Sequence, residues 1–177
     1  GNLAPMSNQI VDSFPPNATS PALPVAIPDN TPAGITIDLP VSGLDPVISG
    51  LSIDLDMDHT WVGDLIVELV APNGTALTLF DRIGFPAGAF GCPADNINTT
   101  FSDDATMTAA DFENTCTNGM LGTFQPIDAF AALNNANPNG TWQLRISDNA
   151  GGDTGSLTGV SLNISTLGSI PQPTYEF

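Results

Sequence analysis

The 177 residues suit one domain with a substantial core, for 41% of them are hydrophobic, yet 19 carboxylates face only two cations, Arg82 and Arg145. The resulting formal charge of -17 repels nucleic-acid phosphates and anionic lipid head groups and excludes both as partners. No run approaches the roughly 18–20 apolar residues that a spanning helix needs, so membrane insertion is excluded too.

Residues 1–24 are rich in Pro, Asn and Ser and read as an extended arm or linker. No signal peptide is read in these residues, and Gly1 reads as a cloning remnant, so the natural N-terminus is expected to have been removed. From Val25 the texture changes to short β-type runs separated by turn signals, as in a sandwich or barrel. Residues 47–57 give the strongest strand: Leu51, Ile53, Leu55 and Met57 alternate with Ser52, Asp54 and Asp56, one dry face and one wet. Residues 65–71 follow, with Leu65, Val67 and Leu69 on one face. Pro72-Asn73-Gly74 supplies a turn, and residues 75–80 return as the hairpin partner. The segment 81–125 shows no strong strand signal, and a structureless stretch of that length would be unusual. Residues 128–134 could form a turn or two of helix. Residues 141–147 and 156–165 read as a second strand pair around the glycine-rich loop 149–155. The tail 168–177 holds two prolines and is expected to fray or link onward. The predicted fold is therefore all-β: a jelly-roll or Greek-key sandwich of about eight strands over residues 25–167, with a long middle connection.

Cys92 and Cys116 fit either one disulfide in an oxidising compartment or two reduced structural thiols. The disulfide would close a loop of about 25 residues and stabilise the fold by roughly 3–4 kcal/mol in the chain-entropy model.

Three separated motifs carry a resemblance. His59-Thr60-Trp61-Val62-Gly63-Asp64-Leu65, followed by Ala71-Pro72-Asn73-Gly74-Thr75, is the first; Gly140-Thr141-Trp142-Gln143-Leu144 is the second. The third is Ser147-Asp148-Asn149-Ala150-Gly151-Gly152-Asp153-Thr154-Gly155-Ser156-Leu157. In order and spacing they resemble the P domain (P/Homo B domain) of subtilisin-like proprotein convertases and its relatives in secreted bacterial proteases. The opening Ile27-Pro28-Asp29-Asn30 with Gly34 and Ile35 is similar to the entry of bacterial P domains, so the likeness spans about residues 14–167. It implies a galactose-binding-like jelly roll, an extracellular or cell-surface bacterial location, and a module packed beside a serine-type catalytic domain. There it serves folding, stability and calcium dependence. The chain departs from the convertase layout in lacking the catalytic domain.

The residues themselves offer no catalyst. His59 is the single histidine and no G-x-S-x-G elbow occurs, so a hydrolytic triad cannot be assembled, and zinc lacks soft ligands. His59, Gly63, Asp64 and Trp142 are expected to be structural. Calcium takes six to eight oxygens at about 2.3–2.6 Å, and three acidic groups could offer them. Asp103 and Asp104 sit in Phe101-Ser102-Asp103-Asp104-Ala105, similar to an F-D-D-x-A motif of bacterial P domains. Asp148 and Asp153 flank the glycine-rich loop, where they could equally cap turns. Asp54, Asp56 and Asp58 lead to Asp64 along a strand that could equally be a solvated face. None has EF-hand spacing. Trp61, in a turn, could stack on sugar or pack. Five glycosylation sequons begin at Asn17, Asn73, Asn98, Asn139 and Asn163 and have meaning only in a eukaryotic secretory pathway. The function expected is a non-catalytic, calcium-binding accessory domain of a secreted protease, its partner a catalytic domain or another extracellular protein. A free-standing adhesin binding polysaccharide or protein, or part of a longer subtilisin-like protease, are the rivals.

Overall fold

A strand with one apolar face needs a second layer to cover it, and this chain covers its strands with one another. A computed structural model describes residues 8–10, 22–85 and 87–167. In chain order its strands are β1 (Asn8–Ile10), β2 (Val25–Ile27), β3 (Thr31–Val41), β4 (Ile48–His59), β5 (Leu65–Val70) and β6 (Ala76–Asp81). β7 (Ile97–Ser102), β8 (Gly119–Phe124), β9 (Gly140–Asp148) and β10 (Gly155–Leu167) follow. The eight from β3 to β10 are the full-length strands; β1 and β2 are three-residue additions to β10. One sheet runs β1-β10-β4-β7-β8, with β2 also on β10, and the other runs β3-β9-β5-β6. The all-β sandwich expected from the alternation is the fold observed. Most of residues 1–24, and all of 168–177, lie outside the described residues.

The core lies between the sheets. β4 points Leu51, Ile53, Leu55 and Met57 inward, and β9 answers with Trp142, Leu144 and Ile146. Trp142 is wholly buried and donates its indole N–H to the Pro138 carbonyl at 2.8 Å, which removes the penalty of burying that donor. At one end Phe80, Phe101, Phe112 and Phe124 pack with ring centroids 5.0–5.9 Å apart.

Two expectations are corrected. The strands at 141–147 and 156–165 do not pair: β9 lies between β3 and β5, whereas β10 lies against β4 in the opposite sheet. Alternation fixes which face of a strand is dry but not which strand lies beside it, and the glycine-rich loop is long enough to cross the core. The middle segment is not without structure either. β7 pairs antiparallel with β4, and β8 joins β7 in parallel. β7 escapes a hydropathy reading because buried Thr99 takes an inward position, its hydroxyl satisfied by the Met120 carbonyl. Between them α1 (Ala109–Thr115) begins with a reciprocal capping box between Thr108 and Asp111 and lowers Phe112 into the aromatic cluster. Cys92 and Cys116 form a disulfide that ties the segment before β7 to the end of α1. Residues 130–133 form a short 3-10 turn.

Candidate functional site

The parity that sends Leu51, Ile53, Leu55 and Met57 into the core also sends in the next odd residue, which is His59. A buried imidazole must find partners for both nitrogens. Nδ1 accepts the Trp61 backbone N–H at 3.1 Å, which leaves the ring proton on Nε2, 3.2 Å from Asp148 Oδ2. Both ring nitrogens are thus engaged, and the imidazole has no free nitrogen for proton transfer. Asp148, at the end of β9, is itself fully buried, and its other oxygen accepts the Ala150 N–H at 3.1 Å.

Past Trp61 the chain tightens into the 3-10 turn Val62–Asp64, which carries Asp64 into the same corner. Asp64 is buried and lies 3.7 Å from the Arg82 guanidinium, whose Nε donates to the Gly63 carbonyl at 3.3 Å. Burial pushes the Asp64 carboxyl above its ordinary value of 3.8, Asp148 and Asp153 push the same way, and Arg82 pulls it back only in part. Two buried carboxylates thus share one corner with a single guanidinium and one imidazole, and Asp148 and Asp153 both repel Asp64. Oxygens so placed suit a hard cation. The arrangement, however, is not a finished cage: among the described residues no three Asp, Glu, His or Cys side chains are gathered to hold a metal ion.

The loop 149–154 closes over this corner. Asp153 accepts the Thr60 hydroxyl at 2.8 Å, Asn149 reaches the Asp64 carbonyl through its backbone N–H at 2.9 Å, and Asp29 accepts the Gly152 N–H through both oxygens. On the other side sits the loop 82–92. Gly63 N–H donates to the Cys92 carbonyl at 3.0 Å, and Trp61 donates its indole N–H to the Phe90 carbonyl at 2.7 Å. That bond fixes the orientation of the half-buried Trp61 indole.

The remaining predicted ligands lie elsewhere. Asp103 accepts the N–H groups of Phe130 and Ala131 at 2.9 and 2.7 Å, one oxygen each, and so caps the 3-10 turn; Asp104 is exposed beside it. Asp54, Asp56 and Asp58 line the outer face of β4. There Asp54 accepts the Thr100 hydroxyl and the Asn163 amide, and Asp56 accepts the Asn98 amide. Those two carboxylates are met by donors from neighbouring strands. Asp58, although in the same strand, points away from the corner that holds Asp64. Asp29, Thr60, Arg82 and Asn149 complete the corner; the sequence marks the first two and Asn149 only as members of the resembling motifs and Arg82 only by the rarity of arginine, and assigns none of them a role.

The match to the proprotein convertase P-domain model covers residues 48–164, which include His59, Asp64, Arg82 and Asp148 but not Asp29. Similar proteins include leupeptin-inactivating enzyme 1 of Streptomyces exfoliatus, 29% identical over 75% of this chain and 23% of that protein. The transglutaminase-activating metalloprotease of Streptomyces mobaraensis is 32% identical over 75% of this chain and 13% of its own length. A calcium-dependent protease of a Nostoc species is 26% identical over 78% of this chain and 17% of that protein. The chain therefore spans less than a quarter of these relatives. The crystal structure of the serine protease of Aeromonas sobria shares the fold, with a TM-score of 0.50 at 16% identity over 94% of this chain and 28% of that one. With two thirds of its length matched, including the corner built on His59, Gly63, Asp64 and Asp148, the chain belongs to the proprotein convertase P-domain family.

Proposed function

We propose that this chain is a non-catalytic accessory domain of a secreted bacterial protease of the serine type, which stabilises and docks on a catalytic domain. The observation that carries the reading is the commitment of both His59 nitrogens inside a buried corner, within a chain whose relatives include proteases several times its length. The corner is a brace and has no free base or nucleophile of the triad kind.

Calcium belongs to the same reading. Asp64, Asp148 and Asp153 are the candidate ligands. They do not form a ready cage and both Asp148 oxygens are engaged within the protein, so calcium would have to draw them together with carbonyls of the loop 149–155. The repulsion of Asp64 by Asp148 and Asp153 supports this, as does the name of the calcium-dependent relatives. Bound calcium would neutralise the corner and stiffen the loop. Asp103, Asp104 and Asp58 are weaker candidates, since Asp103 is saturated by backbone donors and Asp104 and Asp58 are exposed. The test is thermal melting in millimolar calcium and in EDTA, for the chain and for its D148N/D153N variant. Calcium should raise the midpoint of the first and leave the second unmoved. Superimposable curves for the unaltered chain in both solutions would remove calcium from the proposal.

A further inference from the structure

The loop 82–92 inverts the usual order of a surface loop. Its aliphatic residue, Ile83, is fully buried at the root, while Phe90 is 75% and Phe85 43% exposed at the tip. Single exposed apolar side chains are ordinary, but these two share one short loop, with half-buried Trp61 against the Phe90 carbonyl. The loop is fastened on every side. Cys92 N–H donates to the Ile83 carbonyl at 2.7 Å, closing its neck, and Gly88 N–H donates to Gly84 at 2.9 Å. Gly84 N–H donates to Glu113 of α1 at 2.7 Å, and the disulfide joins Cys92 to the end of that helix. The Arg82 guanidinium stacks 4.3 Å over the Phe85 ring and fixes its orientation. No carboxylate occurs between Asp81 and Asp95, so the tip is free of the charge that covers the rest of the chain.

Exposing two rings from a braced loop costs solubility and is sustained by a partner that buries them. Together they present roughly 240 Å² of aromatic surface, taking about 200 Å² for each whole side chain. A stable complex between separate proteins buries about 800 Å² on each partner, so this contact is too small to hold one alone. It suffices where a tether supplies a high effective concentration. The relatives provide that setting, since the matching region is 13% of the Streptomyces mobaraensis metalloprotease and 17% of the Nostoc calcium-dependent protease.

We propose that Phe85 and Phe90 are the docking anchors by which this domain seats in an apolar socket on the catalytic domain tethered to it. The buried His59–Asp148–Asp64–Arg82 corner is the rigid base that presents them. The proposal rests on the accessory-domain reading and adds the surface.

The test exchanges the matching region of the Nostoc calcium-dependent protease for this chain, with and without F85S/F90S, beside the protease lacking the region. The chimera should melt about 3–6 °C above the truncated protease, and the double variant should lose most of that gain. The isolated 177-residue chain should melt alike with either loop, because the replaced rings are exposed, which separates docking from folding. A double-variant chimera that keeps the full gain would overturn the surface while leaving the accessory reading intact. A chimera no more stable than the truncated protease would overturn both. Dimerisation of the isolated chain that depends on the two rings would make the occupant a second copy and likewise overturn the proposal.

Discussion

Replacing Gly63 with alanine would set a methyl group against backbone that cannot retreat. Its Cβ would stand 2.4 Å from the Cys92 nitrogen, 2.9 Å from the Gly91 carbonyl carbon and 3.0 Å from the Cys92 carbonyl oxygen. The Gly63–Cys92 hydrogen bond at 3.0 Å would break as the loop is pushed out. Overpacking of this kind costs about 1–3 kcal/mol, and a buried backbone donor left unpaired adds about 1–3 kcal/mol. A loss of about 2–6 kcal/mol lowers the melting midpoint of a chain this size by roughly 4–24 °C. Gly50→Ala is the control: its Cβ would meet only Ser165, the Cβ at 3.6 Å, an ordinary contact, and the stiffer unfolded chain should leave stability level or raised by about 0.4–1 kcal/mol. Urea titrations of the two variants give the comparison. A midpoint for Gly63→Ala no lower than that of Gly50→Ala would refute the claim that corner and loop are locked backbone to backbone.

Asp148→Ala should cost about 1.5–3 kcal/mol by stranding the buried His59 Nε2–H, measured by urea unfolding; a loss under about 0.5 kcal/mol would mean that water replaces the carboxylate. Phe112→Ala, which empties the centre of the four-ring cluster, should cost about 3–5 kcal/mol by the same assay. C92S/C116S should lose about 3 kcal/mol, and dithiothreitol should reproduce the loss in the unaltered chain. Burial lifts the Glu113 carboxyl above its ordinary 4.5, an effect opposed by the Gly84 N–H and reinforced by Asp81, so folding favours the protonated acid. Its contribution is present below pH 4.5 and is lost as pH rises through the lifted value. E113Q should therefore gain stability relative to the unaltered chain across that window, and a pH-independent difference would contradict it.

Much of the fold is legible because a strand's parity is a local property. Leu51 through Met57 announce a dry face, and extending the same count by one more step puts the His59 imidazole on that face, in the core. Pairing is not local. Nothing in residues 141–147 or 156–165 states that they face each other across the core from opposite sheets, nor that β8, with two glycines in six residues, joins β7 in parallel. The acidic groups were ambiguous for a different reason. A carboxylate looks the same in sequence whether it meets a cation, as proposed for Asp148, or two backbone N–H groups, as Asp103 does. Periodicity picks out aromatic residues on strands and passes over Phe85 and Phe90, because a loop has no period.

The last strand holds the first half of the chain in place. β10 is paired with β4 along nearly its whole length, from Gly155↔His59 to Thr166↔Ile48, and with β1 and β2 on its other edge. β9 likewise sits between β3 and β5, so neither sheet can assemble from its N-terminal strands alone. During synthesis from the N-terminus, the apolar faces of β4 and β5 have no lasting partner until almost the entire domain has emerged. Contacts of such long sequence separation also form slowly. β5 and β6 can pair early as a hairpin, but a chain with this wiring completes neither sheet until its last two strands are made.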